Sequence, residues 1–487
     1  MPRKILVASS NPWSFALAVE RELIRRNPDA QIDLVDLFAL SARHSPHWRR
    51  RDVLLEQANR KIGRFVRPMI NGRDVTGDIK LRPKDIPPVL NDLGRLRGYK
   101  VGGAAVGLAV LSSITSATTV QEPGTHAQYG AVLPMAWRSA YYSLQAAEVL
   151  RDRGYDEIYT FNGRHCYSRP FCDLMGAGAR VWRYEQGATG ASFVMADSSI
   201  HEPDTVARLI RSHPYERAAG EEFYLARLRR APGDAVNFYV SQQVQGLLPD
   251  GAVPGEFVAF FTSSSDEFIA ISDTPGFGSF RSQFDAAISI ARAAEGAGKR
   301  FVLRLHPHLQ YKHASWRREW DFAQLTELGA IVIHPGDQAD SYAIASAAHC
   351  VFTCGSTVGF ECTFRGIPNA DVGEWVGAKL GAMPHVMNEV EVAAFIAAPA
   401  LPDDALEGAL LYGSYIRRAG TALPELDIGR HPHYARIDGK VVDPLRYGFQ
   451  RTRDVLTRDR AGAAGVLNGK VMIDPHLADR AKREFNG

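Results

Sequence analysis

Three short stretches of this chain bring hydroxyl, imidazole and carboxylate groups together at spacings that suit phosphate chemistry. In Thr353-Cys-Gly-Ser-Thr-Val-Gly-Phe-Glu361, an apolar run ending at Thr353 reads as a strand, and Gly355, Ser356 and Thr357 open a helix-like segment. The first turn of a helix presents unsatisfied N–H donors and the positive end of its dipole, a ready phosphate site. Ser356 and Thr357 would add hydroxyl donors. Glu361 stands too far from Ser356 for a capping box, and a carboxylate there can accept hydrogen bonds from two vicinal hydroxyls of a ribose. The plainer alternative is a Ser-capped helix carrying a solvated glutamate.

The second stretch is Phe260-Phe-Thr-Ser-Ser-Ser-Asp-Glu267. Ser263 and Ser264 follow an apolar run, and such a turn can form an anion-binding nest or be an ordinary Ser-rich turn. Asp266 adds a carboxylate as a catalytic candidate. The third is Leu303-Arg-Leu-His-Pro-His308, which places Arg304, a candidate phosphate contact, in a strand and His306 at its end. Proline stops the ladder and fixes the backbone behind the imidazole. A histidine held there can donate to a phosphate oxygen or protonate a leaving group. His-Pro also occurs at residues 213, 334 and 431, so the dipeptide alone decides little; His334, like His306, follows a strand. Earlier in the chain, Asn162 and Arg164 follow the strand Glu157–Phe161, and Glu185 stands at the end of another before Gly187. Glu185 is the candidate general base for a sugar hydroxyl. Arg164 and Arg169 are candidate contacts for an anionic donor or acceptor, with surface salt bridging as the alternative.

These groups need a scaffold that lines up strand ends. Lys4–Ser9 reads as a strand, 11–26 as a helix and 31–37 as a strand, a βαβ opening of the kind that builds parallel sheets. Residues 140–153 read as a helix, followed by strands at Glu157–Phe161 and 179–184. The stretch Leu247-Leu-Pro-Asp-Gly-Ala-Val-Pro-Gly255 reads as a link between domains. A second series then begins, with strands at 256–262, 300–305, 330–333 and Cys350–Thr353 and helices at 280–298, 316–328 and 341–348. A last helix is expected at 445–463, packing back across both halves. In open parallel sheets ligands bind beyond the carboxyl ends of the strands, where all three motifs fall.

A chain of 487 residues is too long for one core. It is 45% hydrophobic and 23% charged, with a net charge of +3, which gives no electrostatic case for nucleic acid. Local basic runs at Arg49-Arg50-Arg51 and Arg227-Leu228-Arg229-Arg230 leave weak attraction to an anionic membrane open. Five cysteines make an odd number without paired spacing and read as core residues in a reducing compartment. The N-terminus lacks a signal-peptide layout. Residues 101–121 carry no charge, but their Gly, Ala and six Ser or Thr read as a close-packed buried helix rather than a membrane span.

Over residues 157–375, the ordered set Phe161-Asn-Gly-Arg164, Tyr184-Glu-Gln-Gly187, Phe261-Thr-Ser-Ser-Ser-Asp-Glu267, Arg304-Leu-His-Pro307, Asp340-Ser-Tyr342 and Gly355-Ser-Thr-Val-Gly-Phe-Glu361 resembles bacterial glycosyltransferases of the GT-B architecture. The likeness is to capsule and O-antigen enzymes, similar to Kdo and sialic acid transferases that use CMP-sugars. It implies an α/β fold of two Rossmann-like domains with a deep interdomain cleft. Residues 1–248 would form the acceptor domain and 249–400 the nucleotide-sugar domain, with 401–487 an extension packing back. By resemblance, His306-Pro307 and Ser356-Thr357 hold the nucleotide phosphate, and Glu185 supplies the base or another catalytic carboxylate. This chain has Glu-Gln-Gly where the sialyltransferase-like pattern has two acidic residues before Gly. The resemblance implies no metal and no cofactor. The implied partners are a nucleotide sugar and an oligosaccharide or lipid-linked glycan acceptor. The implied location is cytoplasmic, at the surface of the inner membrane. Three rivals share features of the pattern: a CDP-glycerol-type glycerophosphotransferase, a sugar-nucleotide epimerase of the same fold, and a non-catalytic scaffold of a polysaccharide cluster.

Overall fold

The computed structural model describes residues 2–9, 14–37, 69–70, 73–74, 88–118, 123–125, 129–230, 242–264, 270–272, 276–311, 314–427, 436–437 and 440–441. The strands are β1 (Lys4–Ser9), β2 (Gln31–Asp36), a two-stranded ribbon of β3 (Met69–Ile70) and β4 (Arg73–Asp74), β5 (Glu157–Phe161), β6 (Arg180–Gln186) and β7 (Ser192–Ala196). They continue with β8 (Phe257–Phe261), β9 (Arg300–Arg304), β10 (Ile331–Ile333), β11 (Cys350–Thr353), β12 (Asn369–Val372), β13 (His385–Val386) and β14 (Thr421–Ala422). The helices used below are α1 (Ser14–Arg26), α2 (Val106–Thr118), α3 (Tyr129–Arg151), α4 (Arg169–Met175), α5 (Pro203–Ser212), α6 (Arg217–Leu228), α7 (Gln283–Gly296), α8 (Ser341–Ala347), α9 (Thr357–Phe364) and α10 (Ala405–Arg418).

Two six-stranded sheets carry the fold. The first runs β14-β7-β6-β5-β1-β2. Its strands β2, β1, β5 and β6 are parallel, while β7 and β14 pair antiparallel at one edge. Side-chain alternation splits its faces. Phe161 and Tyr184 meet Phe15 of α1 on one side, whereas Ile158 joins Phe171 and Cys172 on the other. The second sheet, β10-β9-β8-β11-β12-β13, is parallel throughout. Its central strands are buried apolar runs such as Phe257-Val-Ala-Phe-Phe261, as expected when helices cover both faces.

Sequence order across the second sheet is third, second, first, fourth, fifth, sixth. That is the doubly wound order, in which the chain leaves β8 in one direction and later returns to its other side as β11. The crevice outside the strand ends at such a reversal is the usual ligand position.

The uncharged stretch expected as a buried helix forms α2, with Leu108, Val110 and Ile114 fully buried. A Cβ on Gly107 would fall 1.6 Å from the Leu96 carbonyl oxygen, so the small residue is what permits the contact. The single helix expected over 316–328 is instead a 3₁₀ segment, Ala314–Glu319, followed by a helix over Phe322–Glu327. Asp321 breaks it by capping the second piece, accepting from the Gln324 N–H at 3.1 Å. The expected helix over 445–463 lies outside the described residues. The return to the first half comes earlier, through α10 and β14. There α10 crosses α6 closely enough that a Cβ on Gly220 would sit 2.5 Å from the Leu410 carbonyl oxygen. Among the described residues no helix is long and apolar enough to cross a membrane. All five cysteines are buried free thiols.

Candidate active site

At the second sheet, register aligns the strand ends: Phe261 of β8 pairs with Arg304 of β9 and with Thr353 of β11, which pairs with Asp371 of β12. Adjacent strands lie about 4.8 Å apart. Ser263, His306 and Gly355-Ser356-Thr357 therefore emerge along one edge, on either side of the β8/β11 reversal.

Each is held by a specific bond. The Ser263 N–H donates to the Gln283 side-chain oxygen at 2.9 Å, and the Gln283 amide returns a bond to the Ser263 carbonyl at 3.1 Å. Ser264 is buried beside it. The His306 N–H donates to the Thr262 hydroxyl at 2.9 Å, joining the ends of β8 and β9. The His308 N–H donates to His306 Nδ1 at 3.2 Å, so a neutral His306 ring carries its hydrogen on Nε2. Gly355 has a φ of +61°, and Trp375 packs against it. Ser356 is the N-cap of α9, accepting from the Val358 N–H at 3.4 Å. This bond uses an oxygen lone pair, leaving the hydroxyl hydrogen as a donor; capping and phosphate binding are thus compatible.

Beneath the turn lies a carboxylate that the sequence reading did not single out. Asp371 Oδ1 accepts from the Thr353 hydroxyl at 2.5 Å and from the Gly355 N–H at 3.3 Å. Burial pushes its pKa up to about 6 against both bonds.

Two expected ligand contacts have other tasks here. Arg304 is 2% exposed, and its guanidinium donates to the carbonyls of His334 and Asp337 at 3.1 and 3.2 Å. It braces the turn after β10 instead of presenting its charge at the edge. Burial pulls it down to about 10, opposed by Asp337 and Asp340, so it stays charged at neutral pH. Glu361 is 4% exposed and pairs with Arg227 of α6 at 2.8 Å. It sits in the packing between α9 and α6, with its carboxylate turned to Arg227. Asp340 is similarly committed, capping α8 and pairing with Arg230 at 2.8 Å. His334 is a turn residue whose N–H donates to Asp337. Asp266 lies outside the described residues.

At the first sheet, Asn162 follows β5 with a φ of 59°, in the left-handed region that Asn tolerates better than most residues. Its N–H donates to the Tyr184 carbonyl at 2.9 Å, and its side-chain oxygen accepts from the Arg164 N–H at 3.2 Å. Its amide nitrogen lies 2.9 Å from Glu185 Oε2 and 2.7 Å from His201 Nε2. His201 Nε2 is 3.4 Å from the same carboxylate oxygen. The Glu185 and His201 side chains remain 25% and 29% exposed, enough for a ligand to reach both. Burial pushes Glu185 up, but hydrogen bonding and charge from His201, with bonds from the Gln186 N–H and Asn162, outweigh it and the net direction is down. Glu185 is therefore ionised at neutral pH. Arg169 instead donates to the Ile271 carbonyl at 2.9 Å, tying the two halves together.

The sequence reading missed His201, Gln283 and Asp371. The one local signal near any of them was the Asn162-Gly163 pair beside His201, a turn at a strand end.

No protein-family model and no curated protein matches the chain. Among solved structures it is similar to the KpsC β-Kdo 2,7 transferase of Thermosulfurimonas dismutans, at 13% identity and a TM-score of 0.32, over 55% of this chain and 79% of that one. It is also similar to the UDP-GlcNAc 2-epimerase of Methanocaldococcus jannaschii in complex with UDP-GlcNAc and UDP, at 9% identity and a TM-score of 0.28, over 84% and 98%. A third is MnaA of S. aureus in its co-structure with UDP, at 10% identity and a TM-score of 0.27, over 87% and 95%.

Proposed function

We propose that the chain is a metal-independent glycosyltransferase that moves a sugar from a nucleotide-activated donor, a CMP-linked acidic sugar in the first instance, to a surface polysaccharide or glycolipid acceptor. The observation that carries this reading is the doubly wound order of the second sheet. Its reversal between β8 and β11 is flanked by Ser263 on one side and Gly355-Ser356-Thr357 on the other, with His306 on the next strand. The nucleotide phosphate would lie against the first turn of α9 and the Ser356 and Thr357 hydroxyls. His306 Nε2 would donate to the leaving phosphate as negative charge builds on it, the kind of preorganised stabilisation that dominates such transfers. Asn162 and Arg164 would line the acceptor side, where Glu185 takes the proton of the attacking hydroxyl. The acceptor would be met at the cytoplasmic membrane surface.

The test is product analysis. The protein is incubated with CMP-, UDP- and GDP-sugars, with and without oligosaccharide acceptors, and the products are resolved by mass spectrometry and NMR. A glycosidic product that requires acceptor is the expected result. Conversion of the donor without acceptor would make the protein an epimerase, and a phosphodiester product from CDP-glycerol would make it a glycerophosphotransferase. Absence of nucleotide binding would favour a scaffold.

A further inference from the structure

The Asn162 amide fixes the chemistry of its two neighbours. Its oxygen is occupied by the Arg164 N–H at 3.2 Å, so its nitrogen supplies both remaining contacts, to Glu185 Oε2 at 2.9 Å and to His201 Nε2 at 2.7 Å. Turned over, the amide would set its oxygen against the carboxylate and lose the Arg164 bond. The network thus assigns the amide orientation. A nitrogen that accepts must offer a lone pair, so Nε2 of a neutral His201 is bare in this arrangement, and only the protonated ring supplies the bond and charge that hold Glu185 down. That bare nitrogen stands 3.4 Å from the carboxylate oxygen, with room for one proton between them.

We propose that Glu185 and His201 form a single proton relay, in which the proton that Glu185 takes from the attacking hydroxyl passes on to His201 Nε2. The acceptor O–H bond breaks as its oxygen bonds to the anomeric carbon, and the proton goes to the Glu185 carboxylate. The bond from sugar to nucleotide phosphate breaks, its electron pair leaving with the phosphate. The carboxyl proton then moves to the Nε2 lone pair, restoring the carboxylate beside an imidazolium that releases its proton to water after product leaves. An imidazole is about two pH units more basic than a glutamate. That difference favours passage of the proton from the Glu185 carboxyl to His201. His201 acts through Glu185, and Asn162 positions both.

Two titratable groups feel the pair, His165 on the loop after β5 through His201 and Tyr184 of β6 through Glu185, while Arg164 faces His165, and Arg169 and Arg183 face Glu202, the residue after His201. Burial, Arg164 and His201 all push His165 well below its ordinary value, so it stays neutral and does not compete for the proton.

This inference rests on the transferase reading for its rate data but not for its tautomer data. In steady-state kinetics, His201→Gln is expected to lower kcat about 10- to 100-fold with KM unchanged. A kcat equal to that of the wild type, or a loss carried by KM alone, would overturn the relay. Independently of turnover, nitrogen NMR of the neutral His201 ring reads the tautomer directly. The hydrogen is expected on Nδ1 with Nε2 bare, and a hydrogen on Nε2 would overturn the relay. If no nucleotide sugar is turned over, the transferase reading fails, while the tautomer still decides whether Nε2 can receive a proton.

Discussion

The two sheet edges are made of different materials. At the second sheet the candidate site is backbone and hydroxyls: the Ser263 turn clamped by Gln283, the Ser356 cap and the open first turn of α9. His306 adds an imidazole, held by its N–H bond to Thr262 at the end of the neighbouring strand and by the His308 N–H on its ring. At the first sheet the candidate site is side chains that exchange protons, Glu185 and His201, oriented by Asn162. Fixed dipoles suit a group whose charge is always present, such as a phosphate. Groups that titrate suit a step in which charge must move. On the proposed reading the halves divide binding from proton transfer, and they are joined by bonds that do neither.

The largest break should come at the first sheet. Glu185→Gln is expected to cut turnover about 10²- to 10⁴-fold, the usual weight of a positioned general base, with nucleotide affinity unchanged by calorimetry. Loss of nucleotide binding in that variant would erase the division.

Next are the joints. Arg227 and Glu361 form a buried ion pair, and removing one partner strands the other charge. Arg227→Met should destabilise the fold by about 3–5 kcal/mol in denaturant melts, and the double variant Arg227→Met/Glu361→Leu should recover most of the loss. A stable single variant would mean that the pair is not the joint.

Asp371 sharpens the second edge. Its pKa is raised from an ordinary aspartate value to about 6 in the folded protein. The folded state then binds the proton more tightly than the unfolded chain, so this group's stabilisation is complete below about pH 4 and is lost as pH rises to about 6. The contribution is roughly 3 kcal/mol at most. Asp371→Asn should flatten stability between those pH values; an unchanged profile would remove Asp371 as the group responsible.

The smallest effect belongs to Ser356→Ala. Loss of the N-cap should cost about 1 kcal/mol of stability, read as a lower melting temperature, and nucleotide affinity should fall in the same variant.

Much of the scaffold was legible because apolar runs end at turn residues. Lys4–Ser9, Glu157–Phe161 and Cys350–Thr353 form strands with the expected bounds, and the strand-end motifs share an edge because a parallel sheet aligns its carboxyl ends. Long-range partners were not legible. Glu361 has the spacing of a ribose ligand, but Arg227, 134 residues earlier, claims it. Arg304 looked available at a strand end until the turn after β10 supplied carbonyls to its guanidinium. His201 lies past β7, whose register sets Val194 opposite Glu185, so it is the segment after β7 that returns His201 to the carboxylate.

The central claim is that the reversal point of the second sheet grips the nucleotide through Ser356 and His306. Calorimetric titration of CMP, UDP and GDP into wild type, Ser356→Ala, His306→Ala and Glu185→Gln tests it most directly. The account predicts that one nucleotide binds the wild type, that both second-sheet variants weaken it, His306→Ala by the larger factor, and that Glu185→Gln binds as the wild type does. Equal affinity across all four proteins, or no binding of any nucleotide, would contradict it.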